Sequence, residues 1–215
     1  MKMIIVYDNE VFKKDFGLKS DWGFACLIEG KNDTILFDTG AKGEILFNNM
    51  NRLNINPSDI TKIVISHQHW DHNGGLKSLI PYVKDIELYH LSFKNPSNNF
   101  ISIFPDTPQK ISENVWTTGL LKGIVDEQSL VLKGKKGWYV LTGCSHPGVE
   151  KILNVAKKIG NIVGIIGGFH GFNKFKLVED LDFICPCHCT AHKKDLEKAF
   201  PSKLSTCGVG KTLDI

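Results

Sequence analysis

Ile63-Val64-Ile65-Ser66-His67-Gln68-His69-Trp70-Asp71-His72-Asn73-Gly74-Gly75 decides how the rest of the chain is read. A β-branched apolar run ends at Ser66, and four side chains able to ligate a metal follow at once: His67, His69, Asp71 and His72. That is the pattern of a strand delivering a ligand loop. In extended backbone alternate residues share a face, so His67 and His69 can approach one ion. Asp71 and His72 fall where the chain turns ahead of Asn73-Gly74-Gly75 and can aim at a neighbouring second ion. Imidazole and carboxylate together suit zinc or another first-row metal better than calcium or magnesium. A single histidine would read as an ordinary surface or core residue, but four such groups this close share a cause.

His67-x-His69-x-Asp71-His72 resembles the signature of the metallo-β-lactamase superfamily. The resemblance implies an α+β fold, a four-layer αββα sandwich with the metal site at one edge of its two sheets. It also implies hydrolysis of an ester, amide, thioester or phosphodiester at a one- or two-metal centre, and leaves the substrate open.

A chain of 215 residues is long enough to bury a real core, and it reads as one domain over 1–215 with two similar halves meeting near residue 110. The balance of 26 basic against 23 acidic residues points neither to nucleic acid nor to a charged membrane surface. Residues 1–8 are charged too early for a secretory signal, and no apolar run approaches the roughly 18 residues of a membrane span. A cytoplasmic setting is therefore expected, with the six cysteines reduced. Three of them crowd into Cys185-Pro186-Cys187-His188-Cys189, where alternate spacing is a poor start for a disulfide framework.

Working outward along the chain, 3–7, 22–28 and 34–37 read as strands, the last two joined by the turn composition Glu29-Gly30-Lys31-Asn32-Asp33. Asp38-Thr39-Gly40 closes the hairpin. From the residues alone Asp38 is a turn cap or a helper; the resemblance makes it the acid that supports the metal loop, since metal-bound imidazoles need an oriented partner on their other nitrogen. Residues 43–53 carry Ile45, Leu46, Met50 and Leu53 at helical spacing, and the strand leading to His67 begins near Ile60. Leu76, Leu79 and Ile80 predict a short helix from Gly75 to Pro81, whose amino end would favour an anionic substrate. Residues 86–91 read as a strand in which His90 is structural. Residues 92–113, with Phe93, Phe100 and Phe104 among Asn, Ser and Pro, read as a packed loop: either a lid or substrate wall, or a surface insertion with its own minor core.

The second half repeats the logic. Strands over 115–118, 128–132 and 138–142 lead to Gly143-Cys144-Ser145-His146-Pro147-Gly148, and a helix over 149–159 follows. A strand over 162–166 runs into Gly167-Gly168-Phe169-His170-Gly171. A helical turn over 177–181, a strand over 183–185, the loop bearing His188, a helix over 191–200 and a short strand beyond residue 203 complete the chain.

Several pieces together resemble one branch of the superfamily, that of 7,8-dihydropterin-6-methyl-4-(β-D-ribofuranosyl)aminobenzene-5′-phosphate synthase. They are Leu36-Phe37-Asp38-Thr39-Gly40, the first motif with Gly74-Gly75, Asp126-Glu127-Gln128-Ser129-Leu130, Leu141 to Gly148, Ile166 to His170 and His188-Cys189-Thr190. The resemblance implies His67, His69 and His146 at one metal and Asp71, His72 and His188 at the other. Two departures stand out. The superfamily's bridging aspartate has no counterpart after Ile166-Gly167-Gly168-Phe169, where His170 stands, and Ala191 replaces the branch's usual glycine. His170 is read as a metal ligand, a substrate contact or a proton carrier, the alternative being a strand cap. If 185–189 is extended, Cys185, Cys187 and Cys189 share one face and His188 the other. They then pack, the alternative being a redox or second metal role, and Cys144 is open in the same way.

The expectation is a hydrolase with two zinc ions per chain, iron or manganese being the other candidates. A three-ligand zinc lowers its water's pKa to about 7, supplying hydroxide at neutral pH. Asp71 would orient that hydroxide and His170 would bind substrate or protonate the leaving group. The partner is a small molecule, anionic or phosphorylated, with neither nucleic acid nor membrane involved; the oligomeric state is not specified. The alternatives are a pterin-related transferase, which joins a pterin pyrophosphate to an aminobenzene ribosyl phosphate, and a non-catalytic metal or redox sensor. A di-iron oxidoreductase is disfavoured because iron-type members carry an acid where this chain has His69.

Overall fold

The structure, a computed structural model, describes residues 1–92 and 94–215, so the reading of Phe93 lies outside the described residues. The chain divides into two compact units, residues 1–105 with 207–214, and residues 106–206 with 215.

In the first unit β1 (Lys2–Tyr7), β2 (Ala25–Glu29) and β3 (Thr34–Phe37) pair antiparallel. The pairing then turns parallel, through β4 (Lys62–Val64), β5 (Ile86–Tyr89) and β6 (Phe100–Ile103). β1 to β4 are near-continuous apolar runs because they are buried on both faces, as the run of buried residues in β1 shows. One face packs against α1 (Gly43–Arg52) and α3 (Leu76–Leu79), the short α2 (Trp70–Asn73) preceding the latter, with Leu46, Met50, Leu76 and Leu79 meeting Val6, Leu27, Leu36, Ile63 and Leu88. Each such large side chain contributes about 2 kcal/mol by burial. Parallel pairing has a functional consequence: Phe37, Val64 and Tyr89 stand in register, so the loops leaving β3 and β4 emerge side by side.

The second unit repeats the scheme. β7 (Gln109–Ser112), β8 (Val115–Thr117), β9 (Leu130–Lys133) and β10 (Trp138–Thr142) are antiparallel, and β11 (Ile162–Gly168) and β12 (Phe183–Cys187) extend the sheet in parallel. α4 (Val149–Ala156) places Val149, Ile152, Leu153 and Ala156 at helical spacing on Val140, Ile165 and Ile184, and α5 (Lys193–Ala199) adds Leu196. Thr142 pairs with Gly167 and Gly168 with Cys187, so three histidine-bearing loops leave the same end of this sheet. β13 (Thr212–Asp214) returns to the first unit and pairs with β1. Among the described residues no helix is long and apolar enough to cross a membrane.

Four expectations need correction. The strand expected from residue 22 starts at Ala25, because Trp22 and Gly23 are drawn into bonds with loops. The helix expected from Gly75 is present as α3 with Gly75 at its N-cap, but at four residues its dipole is too small to attract an anion, and a separate turn, α2, precedes it and carries Asp71 and His72. Residues 92–113 are not a structureless loop. They supply β6 and β7, short strands whose alternation is blurred because edge positions such as Ile101 face out. Finally, 185–189 is not extended throughout: His188 has φ of 42°, which ends the alternation before Cys189.

Candidate functional site

In the first unit the site grows from one buried carboxylate. Asp38 follows β3 in a left-handed conformation, φ 58°, and is fully buried. Its Oδ1 accepts the Ser66 backbone N–H at 2.7 Å; its Oδ2 accepts the Ser66 hydroxyl at 2.7 Å and His72 Nδ1–H at 2.7 Å. A carboxylate only accepts, so the single Ser66 proton goes to Asp38 and Ser66 Oγ must accept from His67 Nδ1, 2.9 Å away. One acid thereby sets the tautomer of both His67 and His72, leaving the lone pair of each on Nε2.

The rings of His67 and His72 lie 4.2 Å apart and those of His67 and His69 4.7 Å. His67 Nε2 is 3.1 Å from His69 Nδ1. Ligand nitrogens about 2.1 Å from one shared ion stand about 3.0 to 3.4 Å apart, so this pair fits a metal. His72 Nε2 lies 3.9 Å from Asp71 Oδ2, which accepts Trp22 Nε1–H at 2.9 Å. The structure thus places His67, His69, Asp71 and His72 close together.

The loop is held tightly. The Thr39 N–H and hydroxyl both donate to His72 O, at 2.7 and 3.0 Å, and Phe24 N–H donates to Asp71 O. A Cβ on Gly74 would stand 2.1 Å from Ala41 O, which is why the motif ends in glycine. Tyr7 anchors the neighbouring segment through Asp21 at 2.8 Å; burial, then that carboxylate, raises its phenol well above the ordinary range, so it stays protonated.

In the second unit the organiser is Glu127, 1% exposed. Its Oε1 accepts from Thr142 Oγ1 and the N–H groups of Gly143, Cys144 and Ser145 at 2.9 to 3.1 Å, and its Oε2 accepts the His146 N–H at 2.9 Å. The backbone of the 143–146 loop is wrapped around one carboxylate, which fixes where His146 begins. The His146 ring lies 5.2 Å from that of His170. His170 and His188 follow the neighbouring strands β11 and β12 with φ of 45° and 42°, a conformation that costs a histidine about 1 kcal/mol. His170 is exposed while His188 is buried, and Ala191 N–H donates to His170 O at 2.9 Å. Gly167, φ 123°, would place a Cβ 1.9 Å from Thr142 O, so only glycine lets β11 pass the loop.

Sequence reading missed two residues that act on the site. Glu127 matched a family segment but carried no role, because an acid beside an apolar strand looks like any surface acid until the loop it binds is placed. Trp22, predicted as a strand residue, instead braces Asp71. His90 is structural as read: it is buried and pairs with Ser102 on the adjacent strand.

The family model of the metallo-β-lactamase superfamily matches residues 23–149. A Methanocaldococcus jannaschii protein named 7,8-dihydropterin-6-methyl-4-(β-D-ribofuranosyl)-aminobenzene-5′-phosphate synthase is 26% identical, over 82% of this chain and 83% of its own. An uncharacterised protein of the same organism is 29% identical, over 88% of this chain and 90% of its own. A solved structure described as a metal-dependent hydrolase of the β-lactamase superfamily shares 24% identity with a TM-score of 0.82, covering 100% of this chain and 99% of that one, so the expected α+β fold is present. The chain belongs to the metallo-β-lactamase superfamily.

Proposed function

We propose that the chain is a metal-dependent hydrolase acting on an ester, thioester, amide or phosphoester of a small, anionic molecule. In this reading His67, His69, Asp71, His72, His146 and His188 are the metal ligands and zinc is the ion, two per chain. The observation that carries it is the Asp38 relay, one buried acid that turns two adjacent imidazoles to present Nε2, which is how proteins orient metal-binding histidines. When bound, such ions supply Lewis acidity toward water and toward the oxygen of the scissile group.

The chain's own groups do the rest. Trp22 holds Asp71 Oδ2, so that the carboxylate approaches a ligand in one orientation. His170, exposed at the end of β11 with its ring near His146, binds substrate or gives a proton to the leaving group from its imidazole. Its strained backbone supports a functional role, since an exposed side chain adds little to packing.

The test is the metal content of purified protein, without added metal or chelator, for the parent, Asp71→Ala and His170→Ala. The reading expects about two zinc ions in the parent, falling towards one in Asp71→Ala and unchanged in His170→Ala, with hydrolysis lost in both. Iron in the parent, or a single ion indifferent to Asp71→Ala, would defeat it. A second reading, pterin-related transfer, is favoured by the name of the 26% identical relative. It predicts condensation of a pterin pyrophosphate with an aminobenzene ribosyl phosphate and no hydrolysis of simple esters.

A further inference from the structure

Two thiols of the second unit stand unusually close. Cys189 Sγ lies 3.2 Å from Cys144 Sγ, nearer than two sulfurs in ordinary contact, and 4.0 Å from Cys144 O. They reach this position by different routes. Cys144 sits in the loop that Glu127 wraps, its N–H donating to that carboxylate, whereas Cys189 leaves the β12 alternation at the left-handed turn of His188. Gly168 lies between them in the sheet: a Cβ there would be 2.7 Å from Cys189 Sγ and 2.4 Å from Gly143 O, so the glycine makes room for the pair.

We propose that Cys144 and Cys189 form an oxidisable dithiol that closes to a disulfide, tying the His146 loop to the His188 loop. The sulfurs need to approach only from 3.2 Å to about 2.05 Å. Exposure sets the order of events: Cys189 is partly exposed and Cys144 is 3% exposed, so Cys189 meets the oxidant and Cys144 resolves. With a small disulfide such as oxidised glutathione as oxidant, the Cys189 sulfur attacks one glutathione sulfur, forming a mixed disulfide and expelling one glutathione thiol. The Cys144 sulfur then attacks Cys189, the mixed disulfide breaks, and the second glutathione leaves. Two electrons pass from the cysteines to glutathione, and the two thiol protons end on its two thiols.

The unit contains its own control. Cys185 and Cys187 are 4.0 Å apart at Sγ, fully buried on one strand and separated by a single residue. They are inaccessible to the oxidant and stay reduced.

The test treats the intact protein with excess oxidised glutathione, then blocks remaining thiols and maps the digest by mass spectrometry without reduction. The expected result is loss of two of the six thiols, a chain about 2 Da lighter, and a Cys144 to Cys189 cross-linked peptide. Cys144→Ser should stop at a stable glutathione adduct on Cys189, and Cys189→Ser should take up none. Absence of the cross-link in the parent, or loss of two thiols in either single variant, would overturn the proposal. A consequence for metal rests on the ligand assignment above: if His146 and His188 hold metal, the oxidised protein retains less of it. A cross-link with unchanged metal content would uphold the dithiol and count against those two ligands, so the two readings fail separately.

Discussion

Asp38 Oδ2 lies 2.7 Å from His72 Nδ1 and equally 2.7 Å from the Ser66 hydroxyl, so a single buried oxygen orients His72 directly and His67 through Ser66. The arrangement is an economy of one charge for two imidazoles, and it makes Asp38 a point of failure for metal binding although Asp38 is not itself placed among the ligands.

Asp38→Asn keeps the shape but introduces a donor where two donors already converge. Metal affinity, measured by competition with a chromophoric chelator, should fall about 10- to 100-fold. Equal affinities in variant and parent would show that the relay does not orient the ligands.

Glu127→Ala removes the acceptor of five donors in a buried loop. Leaving them unsatisfied should cost on the order of 4 kcal/mol in a urea titration. A loss below about 1 kcal/mol would mean that water or a rearranged loop replaces the carboxylate.

Trp22→Phe keeps an aromatic side chain and deletes the N–H that reaches Asp71. Metal affinity should drop by about five-fold, equivalent to a hydrogen bond worth about 1 kcal/mol, with the melting temperature nearly unchanged because the side chain is half exposed. Indole fluorescence gives a second readout: the part of the metal-induced change due to Trp22 should vanish in the variant.

His170→Gly separates function from structure. Relief of the left-handed backbone should leave stability unchanged or raise it by up to about 1 kcal/mol, while turnover is lost. Destabilisation beyond about 1 kcal/mol would make His170 a structural cap instead.

Burial pushes the His90 imidazole below its ordinary pKa, so the folded chain binds this proton less readily than the unfolded one. The contribution to stability is therefore complete above about pH 6.5 and lost as the pH falls through the depressed folded value. Between about pH 7 and about pH 5 the urea midpoint of the parent should fall more steeply than that of His90→Gln. Parallel slopes would remove His90 from the acid sensitivity.

What the sequence determined by itself was local. The candidate-ligand motif is continuous from His67 to His72, and Asn73-Gly74-Gly75 marks its end in the sequence. Helices such as α1 and α4 were legible because their apolar spacing is repeated over two or more turns, and β3 and β10 because a turn composition bounds them. Residues 92–113 were not legible, since edge strands lose the alternation that marks buried ones. The tertiary structure alone decided what orients the candidate site residues. Asp38 meets His72, Trp22 meets Asp71, Glu127 meets the 143–146 loop and Cys144 meets Cys189, all across separations of 16 to 49 residues. Such partnerships leave no periodic trace in a sequence, because strand register, parallel and antiparallel, and not local spacing, brings their loops to the same end of a sheet.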